Sequence, residues 1–145
     1  MRAVVQRVTQ ARVVVDGAVV GEISSGLCAL VGVTHEDGTE QADKLADKVA
    51  RLRVMPDDEG LMNYSVLETG GAVLVVSQFT LYGDTRKGRR PAYLAAARPE
   101  QAAPLVERVV SRLRDLGVPV AEGRFGADMQ LELVNDGPVT LLVEV

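Results

Sequence analysis

Four short stretches carry most of the side chains able to do chemistry. Ser77-Gln78-Phe79-Thr80 puts two hydroxyls and an amide directly after the apolar run Ala72 to Val76, and Arg7 sits beside Gln6 in an otherwise apolar opening segment. Arg86, Lys87, Arg89 and Arg90 place four cations within five residues, and Asn135-Asp136-Gly137-Pro138-Val139-Thr140 interrupts the apolar C-terminal region. Only one histidine, His35, and one cysteine, Cys28, are present. That pair cannot build the usual zinc or iron sites, so no metal is expected. A Ser-His-Asp hydrolase would have to be built on His35, which lies in a polar loop and has no Gly-x-Ser-x-Gly partner. Neither a P-loop nor a Gly-x-Gly-x-x-Gly is present, and no cofactor is expected. What remains is a set of hydroxyls, amides and backbone groups, which position and stabilise charge but supply no strong base. Such a set suits a substrate that is already activated.

The elements that position these groups can be read from periodicity. Ala3 to Val8, Arg12 to Val15, Val19 to Ile23 and Leu27 to Val33 read as strands, with turns at Asp16-Gly17 and Ser24-Ser25-Gly26, so the chain is expected to open as an antiparallel meander. Alternation along the first strand predicts that either Gln6 or Arg7 faces inward. An inward Arg7 needs a partner: it lies at a sheet edge or pairs with a carboxylate, or else it orients backbone carbonyls. From Thr39 to Arg53, Ala42, Leu45, Ala46, Val49 and Leu52 recur at helical spacing, with Thr39 as the expected N-cap. The pairs Glu40 with Lys44 and Asp47 with Arg51 lie four apart on what reads as a solvated face.

Pro56 to Gly60 reads as an acidic loop with too few ligands for calcium. Ala72 to Val76 is apolar without alternation, which predicts a central strand covered on both faces. Pro99 to Leu116 forms a second helix, with Pro104 expected to kink it or mark its true start, and Gly117 as its C-cap. Strands around Val118 to Glu122, Met129 to Val134 and Val139 to Val145 finish the chain, with Asn135 to Pro138 as the turn between the last two. An X-Pro bond is also the common place for a cis linkage, which would re-aim two carbonyl oxygens.

The 145 residues are 47% hydrophobic and suit one domain over 1–145. Cys28, inside an apolar run, is expected to be buried and inert in a reducing compartment. No apolar run approaches the ~18 residues that cross a bilayer, so a cytoplasmic protein without membrane contact is expected. The net charge of −4 argues against a general polyanion binder, but the loop from Arg86 to Arg90 can form a local phosphate contact or be simply soluble.

Ser77-Gln78-Phe79-Thr80 together with Asn135 to Thr140 resembles the D-aminoacyl-tRNA deacylase (D-tyrosyl-tRNA deacylase) family. The likeness extends to Val5-Gln6-Arg7-Val8, Gly88 with Arg90-Pro91, Gly123-Arg124-Phe125 and Asp128-Met129-Gln130, and runs end to end in one order. It implies an α+β fold, a three-layer sandwich of antiparallel and mixed sheets with two main helices on one side. It implies a cytosolic homodimer with active sites at the interface, cleaving the ester between a D-amino acid and the 3′-terminal adenosine at the acceptor end of tRNA, and also mischarged glycyl-tRNA.

Under the same resemblance Gly137-Pro138 is cis and enters the partner's site, its two carbonyl oxygens rejecting L-amino acids, with Arg7 holding it. Ser77, Gln78, Phe79 and Thr80 line the reacting ester, and either Thr80 or the tRNA 2′-hydroxyl carries the chemistry. Arg86, Lys87, Arg89 and Arg90 are possible tRNA phosphate contacts. Phe125 and Met129 are candidate pocket-lining residues, weighed against a plain core role. Ala92-Tyr93 departs from the hydroxyl or acid that some relatives carry there, so no polar contact is assigned to it. Two other readings stand beside the deacylase: a non-catalytic RNA-binding dimer using the basic loop, and a Thr80-nucleophile hydrolase of another small ester or amide.

Overall fold

A computed structural model describes all residues, 1–145. The chain opens with a long strand, β1 (Arg2–Val15), that turns through Asp16 (φ 50) and Gly17 (φ 78) into β2 (Ala18–Ile23). Two successive left-handed residues make the hairpin turn whose twist matches the strands. β3 (Gly26–Gly32) then continues along β1, pairing Gly26 with Val8 and Gly32 with Arg2. β2 pairs with residues Ala11 to Val15 of β1. The other edge of β1 is taken along nearly its whole length by β8 (Gln130–Glu144). The expected meander is therefore a single hairpin whose return limb is broken at Ser24-Ser25 into β2 and β3.

From β3 the sheet passes to β6 (Ala72–Ser77) and then β7 (Val120–Glu122), both parallel to it. β7 curls back against β2, so the six-stranded sheet is nearly closed like a barrel. A Cβ at Gly21 would stand 2.2 Å from the Glu122 carbonyl oxygen, so this approach requires glycine.

Two cores result. Leu27, Ala29, Val31, Val73 and Val75 face the helices, whereas Cys28, Leu74 and Val76 join Val8, Ala11, Val13 and Ile23 on the opposite face. Period-2 alternation in strands buried on both sides produces this division, as the continuous apolarity of Ala72 to Val76 predicts. β1 serves both cores: Ala3 and Val5 face the helices, but Val8, Ala11 and Val13 face the barrel interior. The pairing register with β8 slips between Gln6 and Val8 and again before Gln10. Gln6 and Arg7 lie at this crossover and are both half-buried, rather than one in and one out.

α1 (Thr39–Arg51) and α3 (Pro99–Asp115) pack side by side on one face. α1 begins after Gly38 rather than Thr39; the Gln41 side chain accepts from the Gly38 N–H at 2.8 Å. Glu40 pairs with Lys44 as expected, but Asp47 pairs with Arg112 of α3 instead of Arg51, and Asp43 pairs with Arg108. Tertiary packing puts these carboxylates between helices, where a guanidinium across the seam is nearer than one on the same helix. α3 runs unbroken from Pro99 through Pro104, which lies on the exposed side where the freed Glu100 carbonyl meets solvent. Beyond Gly117 (φ 96), the Val118 N–H returns to the Leu113 carbonyl and ends the helix.

Three small elements lie outside the periodic segments: the hairpin β4 (Met55–Pro56) with β5 (Met62–Tyr64), and α2 (Val66–Thr69), whose one available signal is the Ser65-x-x-Glu68 capping box. The Asp57 carboxylate accepts from the N–H groups of Glu59 and Leu61, which folds the acidic loop on itself. The protein is thus mixed α+β, with three helices against a nearly closed sheet. No helix is long and apolar enough to cross a membrane.

Candidate active site

β3, β6 and β7 run parallel, and loops beyond the carboxyl ends of parallel strands are where such sheets place ligand sites. A pocket of about 560 Å³ opens there. Its floor is Val31, Val33, Val76 and Ser77, its walls are Gln78, Phe79 and Tyr93 on one side and Phe125, Met129 and Leu131 on the other, and Pro99 and Ala102 of α3 close the back. Phe125 and Met129 therefore do line a cavity. Phe125 remains two-fifths exposed, and Met129 folds back so that its Sδ accepts from the Arg124 N–H at 3.4 Å.

Directly after Ser77 the chain tightens into a 3-10 turn, Phe79–Tyr82. Its first backbone bond runs from the Leu81 N–H to the Gln78 carbonyl, so the Phe79 N–H precedes the turn's own bonding. The Gln78 amide donates to Thr80 Oγ1. Thr80 is exposed, and its hydroxyl has no carboxylate or imidazole within hydrogen-bonding distance. This is a donor-rich strand end without a general base.

Arg2 and Tyr93 hold this turn, and no local sequence pattern pairs either of them with it. Arg2 donates from Nη1 to the Leu81 carbonyl at 3.1 Å, its guanidinium carbon lies 4.3 Å from the Tyr82 ring centroid, and Nε lies 3.2 Å from Glu144. Tyr93 meets Phe79 edge to face, with ring centroids 5.2 Å apart. Nothing local in the sequence marks either contact, because Arg2 and Leu81 are 79 residues apart.

The basic loop is tied off at its neck by reciprocal backbone bonds between Asp84 and Ala92. Arg86 is folded onto Asp84 by two side-chain bonds of 2.9 and 2.7 Å. Those bonds, together with the Arg86 N–H, hold the Asp84 carboxyl down to about 2. Lys87, Arg89 and Arg90 are exposed and make no ion pair. Three of the four expected cations are thus free, with Arg86 serving the loop.

Asn135 to Thr140 is not a hairpin turn. β8 pairs with β1 on both sides of it: Asn135 stands opposite Val8 and Thr140 opposite Gln6. Asp136, Gly137, Pro138 and Val139 bulge out against the single residue Arg7. Pro138 has no N–H to give the ladder, and Gly137 takes φ 123, a conformation L side chains rarely adopt. The Gly137-Pro138 peptide is cis. Arg7 donates from Nε to the Asp136 carbonyl at 3.1 Å and from Nη1 to the Val54 carbonyl at 2.7 Å, and Nε lies 3.5 Å from the Asp136 carboxylate. Both partners foreseen for Arg7, carboxylate and carbonyls, are present at once. The bulge does not line the pocket of its own chain.

A model of the family described as D-Tyr-tRNA(Tyr) deacylase matches residues 4–144. The chain belongs to this deacylase family. Among relatives, the D-aminoacyl-tRNA deacylases of Symbiobacterium thermophilum and Brevibacillus brevis are 62% and 60% identical, each over 99% of this chain and over 95% and 99% of their own lengths. The solved structure of the c-Myc DNA Unwinding Element Binding Protein superposes with a TM-score of 0.95 at 38% identity, over 100% of this chain and 99% of the other. A probable eukaryotic D-amino acid tRNA deacylase shares the fold, with a TM-score of 0.84 at 17% identity and coverage of 99% and 98%. Membership places the deacylase among the hydrolases.

Proposed function

We propose that this deacylase cleaves the ester joining a D-amino acid to the 3′-terminal adenosine of tRNA, and also that of mischarged glycyl-tRNA. The observation that carries this reading is the apolar pocket edged by amide and backbone donors with no base beside Thr80. Water adds to the ester carbonyl carbon as the ribose 2′-hydroxyl oxygen accepts one of its protons, and the developing oxyanion accepts from the Phe79 N–H with Gln78 beside it. The bond to the ribose 3′ oxygen then breaks, that oxygen taking a proton relayed from the neighbouring 2′-hydroxyl. One well-aimed donor stabilises such an oxyanion by about 3 kcal/mol, enough for an ester that hydrolyses readily unaided. Ser77 lines the ester, and Thr80 keeps Gln78 in place.

The enzyme works as a cytoplasmic homodimer, a single domain per chain in three layers: the two long helices, the central strands, and the strands that curl over the second core. Gly137-Pro138 of each subunit reaches the partner's pocket, where its carbonyl oxygens stand where an L side chain would project. Its absence from its own chain's pocket supports supply in trans. Glycine lacks a projecting group and passes the filter. Lys87, Arg89 and Arg90 meet tRNA phosphates, and Arg86 shapes their loop.

Incubation with D-tyrosyl-tRNA and L-tyrosyl-tRNA tests the reading: D-selective release of tyrosine is expected. Equal release, or tRNA binding with none, overturns it, the latter in favour of the RNA-binding dimer. Full activity in a species sedimenting as a monomer would overturn the supply in trans.

A further inference from the structure

We propose that an exposed cationic stripe on α1, Lys44, Lys48 and Arg51, continued by Arg53, is a second RNA-phosphate contact surface, which serves the pocket of the partner subunit. The proposal rests on the dimeric deacylase reading above. Residues four and three apart share one helix face, so Lys44, Lys48 and Arg51 form a line about 10 Å long. All four side chains are exposed, and with Asp47 and Leu52 they border a shallow groove of about 630 Å³. The nearby acids leave the stripe positive. Asp43 and Asp47 are engaged by Arg108 and Arg112 of α3. Lys44 has an exposed pair with Glu40, Lys48 reaches only the Glu144 carbonyl, Arg53 bonds Asn63, and Arg51 makes no ion pair. In a chain with net charge −4, this is a local concentration against the overall sign.

Its placement gives the stripe a purpose. Val54, the residue after Arg53, offers the carbonyl that Arg7 binds at 2.7 Å, and the same guanidinium binds the Asp136 carbonyl of the Gly137-Pro138 bulge. One side chain therefore joins the end of the stripe to the bulge. If the bulge enters the partner's pocket, the stripe lies at the mouth of that pocket, opposite the partner's own basic loop. A tRNA with its 3′ end in the pocket would then be held from both subunits. A narrow line of cations suits a phosphate backbone; a membrane-binding face would interleave exposed apolar side chains along the helix, and here the apolar lining is half-buried Leu52 and the exposed Val145 at the groove's edge.

The test uses the full-length protein carrying Lys48→Gln, Arg51→Gln and Arg53→Gln together. Binding of uncharged tRNA is measured as a function of salt, and hydrolysis is followed on D-tyrosyl-tRNA and on the D-tyrosyl ester of adenosine alone. The expected result is Kd for tRNA raised about tenfold or more at moderate salt, and a log Kd against log salt slope reduced by about 0.7–0.9 for each phosphate that is no longer neutralised. Hydrolysis of the adenosine ester stays at the wild-type rate. Unchanged tRNA affinity and slope would overturn the stripe. Loss of adenosine-ester hydrolysis in the variant would overturn it too, because the residues would then act on the site and not on distant phosphates. Failure of the wild-type protein to cleave either substrate would instead overturn the deacylase reading, and the stripe's role with it.

Discussion

Arg7 and Gly137 are so close that a Cβ on Gly137 would stand 3.1 Å from Arg7 Nη2. The guanidinium thus occupies the space left by a missing side chain, and from there it reaches the carbonyls of Asp136 and Val54. Arg7→Met removes a charged donor that is only 12% exposed and leaves two carbonyls without their partner. Charge-assisted bonds of this kind contribute about 1.5–3 kcal/mol each. The unfolding midpoint is expected to fall by about 5 °C or more, and D-tyrosyl-tRNA hydrolysis to weaken. Arg7→Lys restores the charge but cannot span both carbonyls, so it should recover little. Unchanged melting and turnover in Arg7→Met would sink this assignment.

Thr80 receives a hydrogen bond from Gln78 and has no base beside it. A hydroxyl without a base is a weak nucleophile. Thr80→Ala is expected to retain activity within about tenfold of wild type in single-turnover assays. A drop on the order of 10³ or greater would instead make Thr80 the nucleophile, because it exceeds the effect of one positioning hydrogen bond.

Arg2 spans the Leu81 carbonyl, the Tyr82 ring and Glu144, and so fixes the far end of the turn that begins at Phe79. In Arg2→Met the turn loses its clamp, and kcat is expected to fall several-fold with little change in KM. Arg2→Lys keeps a cation over Tyr82 and should restore part of the rate. An equal rise in KM without loss of kcat would show that Arg2 serves binding rather than positioning.

Burial pushes the Cys28 thiol up to about 12. The folded protein therefore keeps a neutral thiol where an unfolded chain, ionising near 8.5, does not. Because the folded value is raised, this contribution to stability is full below about pH 8.5 and is lost as pH rises toward 12. Iodoacetamide at pH 8 should leave Cys28 unlabelled in the native protein and label it in denaturant, as read by mass spectrometry. Rapid native labelling would contradict its burial.

The seam between α1 and α3 should be sensitive to acid. The hydrogen bond from Arg108 holds the Asp43 carboxyl below its usual range. A lowered folded value means that the stabilisation is present above the ordinary carboxylate value of about 3.9 and is lost as pH falls through the folded one. Thermal melts between pH 2 and 5 should show a shallower acid dependence in Arg108→Met than in wild type. Identical profiles would assign the acid sensitivity to other carboxylates.

Both long helices were legible because Ala42, Leu45, Ala46 and Val49, and Ala102, Leu105, Val106 and Val109, repeat at the helical period and are all buried. Central β6 was legible because Ala72 to Val76 is apolar without alternation, and a strand must be covered on both faces to tolerate that. The small hairpin β4–β5 and the four-residue α2 were not, since elements of two to four residues span hardly more than one period and a pattern needs several repeats to stand out.

What the sequence determined by itself is chemical: the available toolkit, the strand and helix periods, and an Asn-Asp-Gly-Pro segment unable to form an ordinary ladder. Only the tertiary structure decided that this segment is a bulge opposite Arg7 rather than a turn, because a turn and a bulge demand the same residues locally. They differ only in whether the flanking strands pair with each other or with a third strand. β1, more than a hundred residues away, supplies that third strand, and with it the guanidinium that holds Asp136 and Val54. Non-local pairing of this kind leaves no period in the chain, so sequence could offer candidate residues but not their neighbours.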